Sequence, residues 1–379
     1  MKMRPIRYLS DACRSDLAEK MVFVGGPRQV GKTTFALSFL SPPEKSHPAY
    51  LNWDISHQRP SILNAQFRTT EPLIVLDEVH KYSRWRNLVK GFYDEFFPTK
   101  NFLITGSARL DHYRRGGDSL LGRYHYLRLH PFSLPEMGNS PDHLNALLRF
   151  GGFPEPLFKQ NDRFLRRWQR ERNSRILQED IRDLENVKDI ALLELLLEAL
   201  PDRVGSPLSI RSLQEDLQVS HETVARWLRI FENVYLTFRI APFGAPKIRA
   251  VKKEQKLYLW DWSAVDNAGA KFENMVASLL LKFCHYQEDV EGYPMELRYL
   301  RDRDGREIDF VVLKRKKPLF AVECKTGERT LSNHIGYFAE RTNIPLFFQV
   351  HLGETDYTRP QLRARVLPLA SLCDELQAY

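Results

Sequence analysis

The sequence predicts an α/β fold for the first third of the chain, and three observations support this. Short apolar segments alternate with amphipathic segments of helical spacing. A glycine-containing loop joins the first apolar segment to the first of these helices. The segment Leu73–Leu76 is continuously apolar, as in a strand covered on both faces, and two carboxylates follow it. Strands that alternate with helices indicate a parallel sheet with helical crossovers, here in residues 1–138.

The elements of this first part follow in a regular order. Strands are predicted at Met21–Gly26, Tyr50–Asp54, Leu73–Leu76, Phe102–Thr105 and Tyr124–Leu129. Helices are predicted at Thr33–Leu40 and across the apolar positions Trp85, Leu88, Val89, Phe92 and Phe96. The polar segment from Pro60 to Pro72 is predicted to be a loop.

Three further parts follow. Residues 139–205 are mainly helical and would form a lid. Residues 206–264 show two helices and then two strands joined by a basic loop, the outline of a winged helix. These segments are Ser209–Leu217, His221–Val234, Leu236–Ile240 and Leu257–Trp260. Residues 265–379 predict a mixed α/β domain with a long helix around Phe272–Phe283 and strands at Leu297–Leu300, Glu307–Leu313, Leu319–Cys324 and Leu346–Val350.

Composition narrows the class of protein. The 379 residues suffice for two or three domains, and 43% hydrophobic with 27% charged residues is a globular balance. No apolar run approaches the roughly 20 residues that span a bilayer, so no membrane partner is expected. Met1–Asp11 lacks an apolar signal-peptide core, and the four scattered cysteines are expected to be reduced thiols, which together predict a cytoplasmic protein. The net charge of +8 permits a nucleic-acid partner without identifying one.

One loop matches the phosphate-binding pattern G-x-x-x-x-G-K-[ST] at every fixed position. Its residues are Gly26, Pro27, Arg28, Gln29, Val30, Gly31, Lys32 and Thr33, followed by Thr34. Glycines let the backbone turn its N–H groups around phosphate oxygens, and the next helix N-terminus adds partial positive charge. Lys32 is predicted to reach the β- and γ-phosphates of ATP, and Thr33 to bind Mg²⁺. The alternative is a chance match.

Asp77 and Glu78 supply the second half of this predicted site. The carboxyl end of a buried parallel strand lies beside the phosphate loop in such sheets. Asp77 is predicted to hold Mg²⁺, directly or through water, and Glu78 to polarise the attacking water. The alternative is a pair of acids at the start of a helix. The two motifs in this order predict an ATPase that binds ATP and ADP and uses Mg²⁺.

Three more residues are candidates for the same site. Thr105 and Ser107, at the end of the next strand, are candidates for sensing the γ-phosphate. Arg123 follows a glycine-rich loop and is a candidate for stabilising transition-state charge on a neighbouring subunit of a homo-oligomer. A surface arginine held in a salt bridge is an equal alternative.

These motifs resemble a known family: the bacterial and archaeal AAA-type ATPases that carry a C-terminal domain of unknown function with a restriction-endonuclease-like core. Beyond the phosphate loop, the matching segments are Tyr50–Asp54, Leu76–Val79, Thr105–Ser107, Leu121–Arg123, Pro131–Ser133, Gly151–Glu155 and Glu323–Lys325. The resemblance covers nearly the whole chain. It implies an AAA core, a helical lid, a winged helix and an endonuclease-like domain, and it implies no defined cellular role.

A second candidate site lies near the C-terminus. Asp309 and the triplet Glu323–Lys325 fit the D…(D/E)-x-K pattern of metal-dependent nucleases. Alternation puts Glu323 and Lys325 on one face of their strand. An antiparallel hairpin through the turn at Lys314–Pro318 would bring Asp309 beside them.

Oxygen ligands make this a predicted Mg²⁺ site. The carboxylates of Asp309 and Glu323 suit Mg²⁺, as does the carbonyl of Cys324. Glu273, on the preceding helix, is a candidate further ligand, and Lys325 would orient or deprotonate the attacking water. The alternatives are an ion-paired pair of strands and an inactive nuclease fold kept as a scaffold.

Basic residues predict a DNA-binding surface in the winged-helix-like part. Its second helix carries Arg226 and Arg229, and its loop carries Lys247, Arg249, Lys252, Lys253 and Lys256. A basic wing beside a recognition helix would contact phosphates and a groove. A solvated loop, or a winged helix that only packs, is the alternative.

Two classes of function remain open. The first is an ATPase that acts on DNA and carries a nuclease-like domain. The second is a nucleotide-switched signalling or scaffold ATPase whose C-terminal domain binds a partner without cutting. The basic loop and the Asp309, Glu323 and Lys325 set favour the first, and the lack of a base-reading motif keeps the second open.

Overall fold

The computed structural model describes residues 6–106, 120–181, 189–244, 254–327 and 330–376. The chain forms two compact units, Met1–Pro131 and Phe132–Tyr379. Each unit is considered by itself below. The finer division predicted at residues 138, 205 and 264 stays a prediction.

The described part of the first unit forms a five-stranded sheet in the order β2-β3-β4-β1-β5. The strands are β1 (Met21–Gly25), β2 (Tyr50–Asn52), β3 (Leu73–Asp77), β4 (Asn101–Thr105) and β5 (Tyr124–Arg128). Every neighbouring pair is parallel, which confirms the predicted parallel sheet. β3 is interior in this order, which explains why its sequence is apolar without alternation.

Helices cover this sheet. They are α1 (Ser10–Glu19), α2 (Lys32–Leu37), α3 (Arg59–Leu63) and α4 (Trp85–Phe96), with 3₁₀ turns at Ser56–Gln58 and Val79–Lys81. The predicted apolar stripe of α4 is largely buried, and Phe92 stacks on Phe102 of β4 with ring centroids 5.8 Å apart. The predicted loop from Pro60 is wrong at its start. Pro60 lies in the first turn of α3, where a missing N–H costs nothing, and buried Ile62 anchors the helix.

The second unit begins with a helical segment, as predicted for residues 139–205. Its helices are α5 (Leu134–Met137), α6 (Pro141–Phe150), α7 (Pro154–Lys159), α8 (Asp162–Arg175), α9 (Ile190–Ala199), α10 (Ile210–Leu217) and α11 (His221–Asn233). A π-helical turn, Ile176–Ile181, follows α8, and a 3₁₀ turn, Pro201–Arg203, follows α9. Polar caps begin several of them, because a side-chain oxygen satisfies a free backbone N–H there. The capping residues are Ser140, Asn161, Ser209 and Ser220.

An eight-stranded sheet forms the rest of the described second unit, in the order β12-β13-β11-β10-β9-β8-β6-β7. The strands are β6 (Thr237–Pro242), β7 (Lys256–Leu259), β8 (Met295–Arg301), β9 (Glu307–Lys314), β10 (Lys317–Cys324), β11 (Phe347–His351), β12 (Tyr357–Arg359) and β13 (Ala364–Pro368). The helices are α12 (Ala268–Asp289), α13 (Asn333–Arg341) and α14 (Leu369–Glu375), with 3₁₀ turns at Trp262–Ala264 and Pro360–Leu362.

The hairpin that follows α10 and α11 is part of this sheet. β6 pairs antiparallel with β7, as the sequence predicted. β6 also pairs parallel with β8 through Ala241 and Pro242. The winged-helix-like segment and the C-terminal strands therefore share one hydrogen-bonded sheet.

Candidate functional site

The phosphate-binding loop lies between β1 and α2. Gly26, Gln29 and Gly31 all have positive φ, at 139°, 65° and 100°. A Cβ atom on Gly26 would lie 2.4 Å from the carbonyl oxygen of Leu129, so the chain requires glycine there for space as well as conformation. Gly31 directly precedes the first residue of α2, so the loop leads into a helix N-terminus, whose partial positive charge favours an anion.

Lys32 is buried at the base of this loop. Its Nζ donates hydrogen bonds to the carbonyl oxygens of Gly26 at 2.9 Å and Pro27 at 2.7 Å. The loop thus holds an ammonium group against its own backbone. The phosphate-contacting role predicted for Lys32 stays a prediction.

Asp77 is buried at the carboxyl end of β3, where three hydroxyl groups donate to it. Thr33 Oγ1 lies 2.8 Å from Asp77 Oδ2, and the hydroxyl of Tyr50 lies 2.7 Å from the same oxygen. The hydroxyl of Thr105 donates to Asp77 Oδ1. The structure therefore brings the two predicted Mg²⁺ residues, Thr33 and Asp77, together, and it uses Thr105 to hold Asp77.

Tyr50 and Asn52 are neighbours of Asp77 that the sequence analysis did not assign to the site. Asn52 pairs with Asp77 across β2 and β3, and its Nδ2 donates to the Tyr50 hydroxyl at 3.0 Å. Burial, together with the charge of Asp77, raises the pKa of Tyr50 above its ordinary value, so the phenol keeps the proton that it donates. The strand Tyr50–Asp54 was predicted, but its position beside β3 depends on a long-range pairing.

Glu78 occupies a different environment from Asp77. It has a left-handed backbone, with φ at 58°, and its N–H donates to the Thr105 carbonyl at 3.0 Å. Its Oε2 lies 3.3 Å from Lys81 Nζ and 3.7 Å from His80 Nε2. Lys81 also contacts Asp54 at 2.6 Å. The carboxylate of Glu78 thus lies against Lys81 and the His80 ring, beside the site, rather than under the hydroxyl groups that bind Asp77.

The structure does not test the roles predicted for two other residues, Arg123 and Ser107. Arg123 Nε lies 2.8 Å from Asp94 Oδ1, and both side chains are substantially exposed, which is the surface salt bridge named as its alternative. A role for Arg123 on a neighbouring subunit stays a prediction. Ser107 lies outside the described residues.

The predicted hairpin in the C-terminal part is present, and it gathers the second candidate site. β9 and β10 are antiparallel, and the pairing of Phe310 with Val322, continued by one residue, places Asp309 opposite Glu323. Asp309 Oδ2 accepts a hydrogen bond from the N–H of Cys324 at 2.8 Å. Lys325 Nζ contacts Glu323 Oε1 at 2.6 Å. The predicted convergence of Asp309, Glu323 and Lys325 agrees with this geometry.

Lys256 adds an unpredicted cation to this group. It was expected in an exposed basic loop, but it is the first residue of β7 and is wholly buried. Its Nζ contacts Glu307 Oε1 at 2.5 Å, Glu273 Oε1 at 3.1 Å and Asp309 Oδ1 at 3.5 Å. We call Lys256, Glu273, Glu307, Asp309, Glu323 and Lys325 the acidic cluster. Burial alone would lower the pKa of Lys256, but the three carboxylates around it raise it above the ordinary value.

The acidic cluster does not fit a divalent metal ion as it stands. Asp309 has one oxygen on Lys256 and the other on a backbone N–H. Glu273 Oε1 likewise contacts Lys256 and accepts from the Tyr258 hydroxyl at 2.8 Å. Within the described ranges, no group of three or more His, Cys, Asp or Glu side chains is arranged to hold a metal. The metal-ligand roles of Glu273, Asp309 and Glu323 stay predictions.

Burial and the neighbouring carboxylate of Asp309 shift two pKa values in the acidic cluster. Burial and the nearby Asp309 raise the pKa of Glu323 to about 8. Burial and the same aspartate raise the pKa of Glu273 to about 7. Near neutral pH the cluster therefore holds a proton in addition to its lysines.

The predicted DNA surface is only partly described. Arg226 and Arg229 are exposed on α11, on the side opposite buried Trp227 and Leu228. Lys247, Arg249, Lys252 and Lys253 lie outside the described residues. In the ranges that the structure describes, no helix is both long and apolar enough to cross a membrane.

Three family models match successive parts of the chain. Residues 18–138 match the AAA domain. Residues 141–270 match Domain of unknown function (DUF8612), and residues 268–372 match Domain of unknown function (DUF4143). The first match spans both the phosphate loop and the buried Asp77 beside it.

Two uncharacterized proteins are similar to large parts of the chain. An uncharacterized protein of Methanocaldococcus jannaschii is 22% identical over 359 residues, covering 84% of this chain and 78% of the relative. An uncharacterized protein of Haemophilus influenzae is 24% identical over 277 residues, covering 65% of this chain and 64% of the relative. The chain thus spans somewhat less than two thirds of the second relative.

Two solved structures show a distant likeness. The Orc1 protein of Aeropyrum pernix in complex with DNA has a TM-score of 0.34 and 16% identity, over 73% of this chain and 95% of that one. A RuvB variant of Thermotoga maritima has a TM-score of 0.29 and 15% identity, over 61% of this chain and 87% of that one. At these scores the likeness supports no inference about this chain.

Proposed function

We propose that the AAA-type domain binds ATP with Mg²⁺ and hydrolyses the bond between its β- and γ-phosphates. The observation that carries the proposal is the contact of the Thr33 hydroxyl with the Asp77 carboxylate, directly after the loop that holds the Lys32 ammonium. A hydroxyl and a carboxylate are the oxygen donors that suit Mg²⁺, so these residues fit the ion. Bound Mg²⁺ would neutralise phosphate charge as it develops.

Each residue of the site has its own role in this proposal. Lys32 and the backbone N–H groups at the start of α2 would bind the β- and γ-phosphates. Thr33 would bind the Mg²⁺ ion, and Asp77, which accepts a hydrogen bond from the Thr33 hydroxyl, would support it. Glu78, whose carboxylate is separate from that of Asp77, would orient the attacking water.

Nucleotide binding with and without Mg²⁺ tests this proposal. Calorimetry of the wild type should show ATP binding that Mg²⁺ strengthens, and phosphate release should follow. Thr33→Ala and Asp77→Asn should lose most of the Mg²⁺ dependence, whereas Lys45→Ala, an exposed lysine of the same unit, should behave as the wild type. Magnesium-independent ATP binding in the wild type would contradict the assignment of Thr33 and Asp77.

We further propose that this ATPase acts on DNA. The exposed Arg226 and Arg229, on the second helix before a hairpin, support it, as does the net charge of +8. Each lost phosphate contact should reduce the log–log salt slope of binding by about 0.9. Alanine at both arginines, or at the basic residues Lys247, Arg249, Lys252 and Lys253, should therefore weaken binding and flatten its salt dependence. Arg211→Ala, an exposed arginine paired with Glu215, is the control.

The function of the C-terminal part has two candidate forms: cleavage of DNA, or binding of a partner in a nucleotide-switched signalling or scaffold ATPase. Metal-dependent cleavage has the convergence of Asp309, Glu323 and Lys325 in its favour. Binding of a partner without cutting is favoured by Lys256, because its ammonium already neutralises Asp309. Incubating plasmid and single-stranded DNA with Mg²⁺ or Mn²⁺, with and without ATP, separates them. Cleavage that Asp309→Ala abolishes would establish the nuclease, and its absence under all conditions supports the second form.

A further inference from the structure

The charge balance of the acidic cluster depends on one buried lysine. Four carboxylates, those of Glu273, Glu307, Asp309 and Glu323, face two ammonium groups. Lys325 contacts Glu323, and Arg301 makes a partly exposed contact with Glu307 at 3.3 Å. Only Lys256 contacts carboxylates from both the helix α12 and the strand β9 within the described residues.

Buried carboxylates need a positive partner, because an isolated charge is costly away from water. In sites of this composition the partner is a lysine, an arginine or a metal ion. Lys256 has no exposed side-chain area, and its Nζ lies within 3.5 Å of three separate carboxylates. Its ammonium therefore does for these residues what a divalent cation would do.

We propose that Lys256 is the resident cation of the acidic cluster, that it excludes divalent metal ions from the wild-type site, and that its removal exposes a latent Mn²⁺ or Mg²⁺ site. The ligands of that latent site would be the carboxylates that Lys256 contacts, those of Glu273, Glu307 and Asp309, with Glu323 opposite Asp309 on the next strand. This inference concerns the second unit alone and does not depend on ATP hydrolysis.

An unsatisfied atom in the cluster points to the same ligand chemistry. Glu323 is 3% exposed, and among the described residues its Oε2 has no hydrogen-bond partner. A buried carboxylate oxygen with no donor is one that a cation would satisfy. Lys325 contacts the other oxygen, Oε1.

The backbone fixes where the Lys256 ammonium lies. Lys256 pairs with Ile240 across the β6–β7 hairpin and makes an isolated bridge with Pro207. β6 is joined in turn to β8 of the same sheet. The lysine is therefore anchored on two sides, and exchange of its amine for a metal would require the hairpin to move or the side chain to be replaced.

Mn²⁺ binding to nucleotide-free protein tests the proposal, with electron paramagnetic resonance to count bound ions. The variants are Lys256→Met, Lys256→Arg and the double variant Lys256→Met/Asp309→Asn. Lys317→Met, at an exposed lysine of β10, is the control. Removing a unit charge a few ångström from the site should tighten binding by at least about tenfold in Lys256→Met. Lys256→Arg keeps the charge and should match the wild type, as should Lys317→Met.

The expected result is one additional Mn²⁺ in Lys256→Met, lost again in the double variant, with a rise in melting temperature when Mn²⁺ is added. A folded Lys256→Met that binds no additional Mn²⁺ would overturn the proposal. If Lys256→Met does not fold, comparison of the wild type with Asp309→Asn still decides. The two should bind Mn²⁺ equally, and a wild-type site that Asp309→Asn removes would show that Lys256 excludes nothing.

Discussion

Thr33 Oγ1 lies 2.8 Å from Asp77 Oδ2, although 44 positions separate the two residues in the chain. Thr33 lies in the first turn of α2, and Asp77 is the last residue of β3. The contact exists because β3 lies near β1 in the parallel sheet, with only β4 between them. Strands that run in the same direction deliver their carboxyl ends to one edge, where the loop after β1 and the acid after β3 can meet.

Because Lys32 and Glu78 are assigned different roles, their substitution is predicted to cause different losses: of ATP binding for Lys32 and of turnover for Glu78. Lys32→Ala removes the ammonium held by the loop carbonyls and should abolish tight ATP binding. Glu78→Gln keeps the phosphate contacts and should retain ATP binding while losing turnover by about 100-fold or more. Binding by calorimetry and phosphate release measured on the same samples check this. Full turnover by Glu78→Gln would remove Glu78 from the mechanism.

Arg123 is predicted to act on a neighbouring subunit. Turnover per chain should then rise with protein concentration, and Arg123→Ala should lower turnover while ATP affinity stays near that of the wild type. Asp94→Ala is the matched control, because it breaks the same salt bridge and leaves the guanidinium in place. Equal turnover at all concentrations, or equal losses in the two variants, would reduce Arg123 to its surface pairing.

Tyr50 is predicted to support the position of Asp77. Tyr50→Phe deletes the hydroxyl that donates to the buried carboxylate, and the cost should be about 1–2 kcal/mol in the free energy of unfolding of the first unit. Tyr82→Phe, whose ring packs on Trp53, serves as the control and should change little. Urea denaturation of the two variants measures the difference. Equal stabilities would mean that Thr33 and Thr105 alone suffice for Asp77.

Glu323 predicts a pH dependence of stability. Its pKa is about 8 in the folded protein and near 4.5 when unfolded, so the folded state binds more protons between these values. Stability should therefore be greatest below about pH 5 for this group and decline as pH rises toward 8, by on the order of 1–2 kcal/mol. Asp309 from β9 and Lys325 from its own strand face this carboxylate and act in opposite directions.

Thermal unfolding of wild type and Glu323→Gln between pH 5 and 8 measures this effect. The glutamine variant should lose part of the decline, and Glu291→Gln, at an exposed position, should keep all of it. Parallel pH profiles for all three proteins would show that Glu323 titrates normally.

Short-range sequence patterns predicted several elements of the fold and of the candidate sites. The phosphate loop, the buried strand before Asp77 and the β9–β10 hairpin all follow from short-range spacing, and the structure places each where expected. Long-range pairings were not predictable in the same way. The position of Tyr50 beside Asp77 depends on β2 adjoining β3, which the spacing of apolar residues does not specify.

Lys256 is the clearest case of a residue whose environment could not be predicted from the sequence. Lys252 and Lys253 lie a few positions before it in the sequence, so composition places it on a solvated loop. Its environment is decided by residues 17 to 53 positions later in the chain, Glu273, Glu307 and Asp309, which the fold brings to one point. A single lysine in a basic run carries no local signal that distinguishes burial from exposure.

The pairing of β6 with β8 affects how this chain can be divided. A fragment that began at residue 265 would contain every carboxylate of the acidic cluster but not the lysine that compensates them. It would also leave the hydrogen-bonding edge of β8 uncovered, and such an edge pairs readily with other chains. A fragment that began before β6 would keep both the cover and the counter-charge. The smallest autonomous piece that contains the C-terminal strands therefore includes the hairpin that precedes them.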